Sequence, residues 1–361
     1  MGLNSSQSNE NTNFQGNDLA MSKLNSDDFG ILLISHGSSL PYSEETFALI
    51  AKKYIAKTGH NTEVGYMKVA EPSISKAIEI LSSKNDNLKK IIAMPVFLAP
   101  GIHTNIDIPI ILGLKPKETD PRCPDGNYPD DHYLKQIDPI NFNGEIDLID
   151  CIGPDSLIID IINKRVESAI KTSDKNINPE KTAVLLVSHG SRLNYNREFI
   201  TDVYNQYKNQ SKFHVGQGFM ELCEPTIAQG IEKMVNIADF HRLIVVPVFI
   251  APGVHTTRDI PTILGILDEN GPNSHYNHNH SNNNHHNLNH SHNKHNNHSH
   301  NHVHVHDHSH NHNHDHSHDH NHAHGEDVDF DGEILYTEPL GADDLIIDII
   351  TYRIENKLMS K

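Results

Sequence analysis

The feature that most constrains the fold of this chain is a short stretch that occurs twice. Residues 32–39 read LLISHGSS and residues 185–192 read LLVSHGSR, so an apolar run ends in Ser-His-Gly both times. Such a run predicts a buried parallel strand, and the glycine relaxes the turn that follows it. Because ligands bind at the carboxyl ends of parallel strands, we expect His36 and His189 to enter a crevice there.

The similarity between the two stretches extends along most of the chain. The other matched blocks, in the same order, are 65–79 with 218–232, 95–113 with 247–265, and 143–162 with 331–350. Four matched blocks in one order indicate an internal duplication, which predicts two domains of related structure.

Within each copy the hydrophobic pattern alternates between strand and helix. In the first copy we predict strands at 31–35, 62–67, 91–98 and 148–151, and helices at 43–57, 73–81, 104–112 and 154–170. Alternating strands and helices predict a parallel sheet covered on both faces. The fold class is therefore α/β, with two tandem repeats that are each a small parallel sheet flanked by helices.

Composition sets the domain boundaries. The predicted parts are a disordered tail (1–28), repeat 1 (29–172), a linker (173–180) and repeat 2 (181–361), with an insert at 271–326 inside repeat 2. The tail lacks the apolar core of a signal peptide. Between His275 and His324 the insert holds 22 of the 30 histidines and almost no apolar residue, which predicts disorder and metal ligation.

Charge and cysteine content exclude several classes of function. The formal charge of -18 argues against nucleic acid as a partner, whereas metal ions remain suitable. Three dispersed cysteines indicate neither a disulfide framework nor a cysteine zinc site, which favours a reducing cytoplasm. The longest apolar run, 243–254, contains two prolines and a glycine and is too short to span a membrane.

Three potentially reactive side chains follow strands in each copy. They are His36, Glu71 and His103 in the first copy, and His189, Glu224 and His255 in the second. Neutral imidazole can bind a divalent first-row metal or accept a proton, and two imidazoles with a carboxylate form an open site. Both glutamates could instead simply begin a helix. We interpret Asp107 and Asp259 as helix or turn residues.

These blocks resemble a known family. The S-H-G-S stretch, the later E-P-S and E-P-T, and the blocks P-V-F-L-A-P-G-I-H and P-V-F-I-A-P-G-V-H are similar to those of the class II chelatases of tetrapyrrole biosynthesis. The likeness is greatest to the sirohydrochlorin chelatases, which insert cobalt on the way to cobalamin or nickel on the way to coenzyme F430. It covers nearly all of both repeats.

The resemblance implies an activity and a set of site residues. The activity is insertion of Co²⁺ or Ni²⁺ into sirohydrochlorin without ATP or any organic cofactor, with His36 and His189 as metal ligands and proton acceptors and His103 and His255 as partner ligands. Glu71 and Glu224 would be acidic substrate-site residues. The residues implied to touch the macrocycle are Leu98, Ala99, Pro100, Gly101, Ile102 and His103, with Ile250, Ala251, Pro252, Gly253, Val254 and His255.

The duplication also bears on assembly and on the substrate's carboxylates. Short relatives of this family pair as homodimers, so two copies in one chain imply a pseudo-dimeric monomer, or a weak oligomer, with a cleft between the halves. Arg192 and Arg258 are candidate donors to the substrate carboxylates, whereas the matching first-copy positions are Ser39 and Ile106.

Two other functions compete with metal insertion. A metal-storage or metallochaperone protein would explain the histidine tract but not the histidines at the strand ends. A histidine phosphatase also places His-Gly after a first strand, but it needs an arginine before the histidine, where this chain has Ser35 and Ser188.

Overall fold

The computed structural model describes residues 28–191, 193–267 and 328–360. The predicted disorder of the tail and of the His-rich insert therefore concerns residues outside the described ranges, apart from Asp28. The first half contains β1 (Phe29–Ser35), α1 (Pro41–Thr58), β2 (Thr62–Tyr66), α2 (Ile74–Lys84), β3 (Lys90–Pro95), α3 (Ile108–Ile111), β4 (Glu145–Leu148) and α4 (Ser156–Thr172).

The second half repeats the same order of elements. It contains β5 (Thr182–Ser188), α5 (Asn194–Gln210), β6 (His214–Phe219), α6 (Ile227–Ile237), β7 (Arg242–Pro247), α7 (Ile260–Ile263), β8 (Glu333–Tyr336) and α8 (Asp344–Met359). One turn of π-helix precedes α3 (His103–Asp107), and another precedes α7 (His255–Asp259).

Each half forms one four-stranded parallel sheet. The strand orders are β2-β1-β3-β4 and β6-β5-β7-β8. The predicted α/β class with two flanked parallel sheets is confirmed. The chain turns one way from β1 to β2 and then crosses back to β3, so the switch point of the sheet lies between β1 and β3. Ligands bind at that point in open α/β sheets.

Side-chain alternation explains why β1 is apolar throughout. Ile31 and Leu33 point to a core shared by the two halves, whereas Leu32 and Ile34 point to a separate core beneath α2 and α3. Successive residues of a strand face opposite sides of the sheet, so a strand covered on both faces must be apolar at every position.

The fourth strand begins three residues earlier than the sequence pattern predicts. It pairs with β3 up to Ala93 and Leu148 and then leaves the sheet. The apolar residues that follow, Cys151 and Ile152, are buried as a loop, in which the Ile152 amide donates to the Phe97 carbonyl. A buried loop therefore carries the apolar pattern that predicts a strand.

The two halves share one continuous apolar core. It includes Tyr54 of α1, Ile161 of α4, Val203 of α5 and Ile350 of α8, all nearly inaccessible to solvent. Polar contacts surround it: Lys164 Nζ lies 2.9 Å from Asp343, and Arg165, also on α4, donates to the Leu340 carbonyl at 2.7 Å. Within the described ranges, no helix is both long enough and apolar enough to cross a membrane.

Candidate functional site

The first site pairs the histidine after β1 with the histidine after β3. His36 follows the last residue of β1, and His103 opens the π-helical turn beyond the β3 loop. Their ring centroids lie 5.0 Å apart at 62°. Two imidazoles that are 67 residues apart in sequence therefore meet at the switch point of the sheet.

Hydrogen bonds fix which nitrogen of each ring carries a proton. His36 Nδ1 lies 2.9 Å from the Gly37 carbonyl oxygen, and His103 Nδ1 lies 2.6 Å from Asp107 Oδ2. Carbonyl and carboxylate oxygens only accept, so each Nδ1 must donate. In the neutral rings the lone pair is then on Nε2, where it can bind a metal or take up a proton.

The second half builds the same arrangement from its own residues. The ring centroids of His189 and His255 lie 4.8 Å apart. His189 Nδ1 lies 3.0 Å from the Gly190 carbonyl oxygen, and His255 Nδ1 lies 2.8 Å from Asp259 Oδ2. Both pairs therefore direct Nε2 lone pairs away from their anchoring acceptors.

The surrounding protein favours the neutral form of His36 and His189. Burial lowers the pKa of His36 and of His189 below the ordinary value for histidine, and the hydrogen bond to the next carbonyl offsets this only in part. The neighbouring imidazole lowers each pKa further. At neutral pH both rings are in the form that binds metals and accepts protons.

Asp107 and Asp259 lie in the π-helical turns, in line with their interpretation as helix or turn residues, and each also accepts a hydrogen bond from an imidazole. Asp107 is fully buried, receives the His103 hydrogen bond and is paired with Arg122. Burial alone would raise the pKa of Asp107, but the hydrogen bonds from His103 and Arg122 outweigh it and lower the pKa. The spacing His-x-x-x-Asp, present in both copies, was the available signal, because side chains four residues apart share a helix face.

The loop between α3 and β4 holds Asp107 through Arg122. Arg122 bridges Asp107 and Asp120, and Asp120 also accepts from the Tyr128 hydroxyl at 2.7 Å. Burial opposes ionisation of Asp120, yet the bonds from Arg122 and Tyr128 bring its pKa to about 2. The Asp107 carboxylate is thus held in place by a charged network.

The structure gives Glu71 a different partner from the imidazoles. Its carboxylate accepts the Ser73 amide proton at 2.9 Å, and Ser73 is the N-cap of α2. This contact supports the alternative in which Glu71 begins a helix. Glu224 is exposed at the matching position.

The acidic group beside an imidazole in the second half is Glu221. Its Oε1 lies 3.4 Å from His189 Nε2. The matching residue of the first half is Lys68, as the blocks M-K-V and M-E-L show. Within the described ranges, no three His, Cys, Asp or Glu side chains form a group that could hold a metal ion.

The loops 98–103 and 250–255 border open space. A Cβ added at Gly101 or Gly253 would meet no other atom within 4 Å. A flat ligand can therefore approach the backbone of these loops closely. Arg258 is exposed beside the second loop and bonds Asp259 at 2.9 Å, whereas Arg192 lies outside the described residues.

An exposed apolar residue follows Lys68 in the first half and Glu221 in the second. Val69 has φ 65° and Leu222 has φ 62°, and their exposed fractions are 75% and 54%. Left-handed backbone is unfavourable for such residues, above all for a β-branched one. Strained residues of this kind cluster at ligand sites, so both are candidates for contact with a bound molecule.

A chain of hydrogen bonds connects α5 of the second half to the π-turn that contains His103. The Tyr195 hydroxyl, at the start of α5, donates to Glu118 at 2.9 Å. The other Glu118 oxygen accepts from Asn105, at 2.9 Å, in the same π-turn as His103.

Comparisons with known proteins show which family this chain resembles. The sirohydrochlorin cobaltochelatase of Methanothermobacter thermautotrophicus is 39% identical over 145 residues, which are 39% of this chain and 92% of that protein. The sirohydrochlorin cobaltochelatase of Methanocaldococcus jannaschii is 42% identical over 172 residues, 47% of this chain and 96% of that protein. Each relative thus matches less than half of this chain over nearly its own whole length.

A solved structure is similar over both halves. The match to SirB from Bacillus subtilis with Fe3+ covers 92% of this chain and 96% of the SirB chain, with a TM-score of 0.56. Because the two sequences are only 14% identical, this similarity shows the fold alone. The CbiX family model matches twice, at residues 30–169 and 183–357. The chain therefore belongs to the CbiX family and carries two copies of its domain.

Proposed function

We propose that this protein inserts a divalent metal into sirohydrochlorin, without a nucleotide, and releases two protons. The observation that carries the proposal is the pair of imidazoles at each switch point, with each Nδ1 anchored by a hydrogen bond and Nε2 as the remaining nitrogen. Relatives named sirohydrochlorin cobaltochelatase support this choice of substrate.

The chemistry requires a metal that is held loosely and a base near the ring. A tetrapyrrole loses two pyrrole protons as the metal enters, and a neutral Nε2 can accept a proton or bind the metal. The proposed residues are His189 and His255 in the second half, and His36 and His103 in the first. The carboxylate of Glu221, beside His189 Nε2, can join the metal ligands by rotation of its side chain. An incomplete ligand set suits a metal that must be passed on.

We further propose that the halves face one another across a cleft and act as a pseudo-dimeric monomer. The contact of Tyr195 with Glu118, next to the π-turn of His103, supports this arrangement. The loops 98–103 and 250–255 would then contact the macrocycle from the two sides.

The proposed metals are Co²⁺ and Ni²⁺, which serve cobalamin and coenzyme F430 respectively. Imidazole binds both ions, and the order of intrinsic affinities does not choose between them. The names of the relatives favour Co²⁺. The His-rich insert, outside the described residues, is proposed to gather metal for the site.

The test is turnover of sirohydrochlorin by the full chain with Co²⁺, Ni²⁺ or Fe²⁺ in turn, followed by the visible absorbance of the product. The H189A and H255A variants should lose activity, whereas H214A should keep it, because His214 is exposed at the start of β6, at the other end of the sheet. Metal binding with no spectral change of sirohydrochlorin would favour a metal-storage protein and overturn the proposal.

A further inference from the structure

Residues of opposite charge lie at equivalent backbone positions beside the two imidazole pairs. They are Lys68 in the first half and Glu221 in the second. The Lys68 amide donates to the His36 carbonyl at 3.1 Å, and the Glu221 amide donates to the His189 carbonyl at 3.0 Å. A Cβ added at Gly37 or Gly190 would collide with the carbonyl oxygen of Lys68 or Glu221, respectively. The backbone therefore places the two residues alike, whereas their side chains carry opposite charges.

In the second half the group next to the free imidazole nitrogen is an anion. Glu221 Oε1 lies 3.4 Å from His189 Nε2, and about two fifths of each side chain is exposed. A carboxylate and two imidazoles attract a divalent cation.

In the first half the residue that matches Glu221 is Lys68, whose half-buried side chain is a cation. Lys68 Nζ lies 4.0 Å above the centre of the Tyr133 ring, which comes from the loop between α3 and β4. Asp107 and Asp120 are buried and paired with Arg122. The ammonium group repels an incoming divalent cation and attracts a carboxylate.

We propose that the His36, His103 and Lys68 site is a carboxylate-binding subsite for the tetrapyrrole, and that the metal enters at the His189 and His255 pair beside Glu221. This inference rests on the proposed function, since it assigns different tasks to its two imidazole pairs. The Lys68 ammonium group is a donor that suits a carboxylate, and the strong hydrogen bonds of carboxylates are charge-assisted. One half thus orients the substrate while the other delivers the metal.

The test is steady-state kinetics of the full chain, varying sirohydrochlorin at saturating metal and then metal at saturating sirohydrochlorin. K68M should raise the KM for sirohydrochlorin about tenfold, because a charge-assisted contact is lost, and leave the KM for metal unchanged. K68R retains the charge and should raise the KM for sirohydrochlorin less than K68M does. E221Q should raise the KM for metal and not that for sirohydrochlorin.

The matched control is K208M, since Lys208 lies near the carboxyl end of α5, away from both imidazole pairs, and should change neither constant. An unchanged KM for sirohydrochlorin in K68M would overturn the subsite, as would K68M and E221Q affecting the same constant. A wild-type chain that converts no sirohydrochlorin with any of the three metals would overturn the proposed function itself. The two failures are therefore distinct.

Discussion

The imidazole of His255 donates its Nδ1 proton to Asp259 across 2.8 Å, within one π-helical turn. His103 and Asp107 repeat the relationship at 2.6 Å. A carboxylate behind an imidazole fixes its orientation and tautomer and makes the other nitrogen a better ligand. If His255 binds the metal as proposed, Asp259 is a positioning residue that acts through His255 without touching the metal.

Replacing Asp259 with asparagine should weaken metal use. An amide can turn its NH₂ group towards Nδ1 and favour the wrong tautomer, so we expect kcat/KM for metal to fall about 10- to 100-fold. The measurement is turnover against metal concentration at saturating sirohydrochlorin. D160N is the control, because Asp160 is exposed on α4. An unchanged metal dependence in D259N would show that the carboxylate has no part in positioning His255.

Replacing Val69 with glycine should separate stability from substrate binding. Left-handed backbone costs a residue with a Cβ about 1–2 kcal/mol, and a glycine at this position removes that cost. Part of the resulting stabilisation is lost again, because glycine has greater conformational freedom in the unfolded chain. We expect the free energy of unfolding to stay level or rise by up to about 1 kcal/mol, while the KM for sirohydrochlorin rises because an exposed apolar contact is lost.

Thermal unfolding and kinetics of V69G, measured side by side, check this expectation. I237A is the control, since Ile237 is 84% exposed at the end of α6 and belongs to neither imidazole site. A V69G variant with lower stability and wild-type KM would mean that Val69 serves the fold and not the ligand.

The ion pair of Arg242 and Glu333 should make stability depend on pH. Arg242 is 1% exposed, and its Nε lies 2.6 Å from Glu333 Oε2. Burial opposes ionisation of Glu333, but hydrogen bonds from Ser173 and Arg242 outweigh it and lower its pKa below the ordinary 4.5. A lowered pKa in the folded state means that the pair stabilises above about pH 4.5 and that this contribution is lost as pH falls through the folded pKa.

The E333Q variant tests this linkage. Leaving the buried Arg242 without its carboxylate should cost about 3 kcal/mol near pH 7, and the difference from the wild type should shrink as pH falls below 4.5. Urea unfolding at several pH values measures it. E145Q, at the equivalent and more exposed position of β4, should cost far less. A constant difference at all pH values would contradict the linkage.

The sequence was sufficient for the strands that precede the imidazoles and for the convergence of the imidazoles. Buried parallel strands are apolar at every position, so the runs before His36 and His189 stand out, and the switch-point rule then brings His103 and His255 to them. Both predictions depend on patterns that are local in sequence or general for the fold class.

The remaining features depend on geometry that residue patterns do not carry. The role of Asp107 depends on the π-turn and on Arg122 from a distant loop. The opposite charges of Lys68 and Glu221 are visible in the aligned blocks. Only the backbone hydrogen bonds to His36 and His189 show that both residues lie beside the imidazole pairs. The shared core of the halves arises from helix faces that are each simply apolar in sequence.

Deleting residues 275–324 should change how the protein uses scarce metal, and nothing else. The segment holds 22 histidines, and imidazole binds Co²⁺ and Ni²⁺. We expect turnover at saturating metal to match the wild type, because the imidazole pairs of both repeats are retained, and turnover to fall when metal is limiting. A chain of unchanged length in which these histidines are replaced by glutamine is the matched control and should behave like the deletion. Equal turnover of all three proteins under limiting cobalt or nickel would rule out a delivery role for the segment.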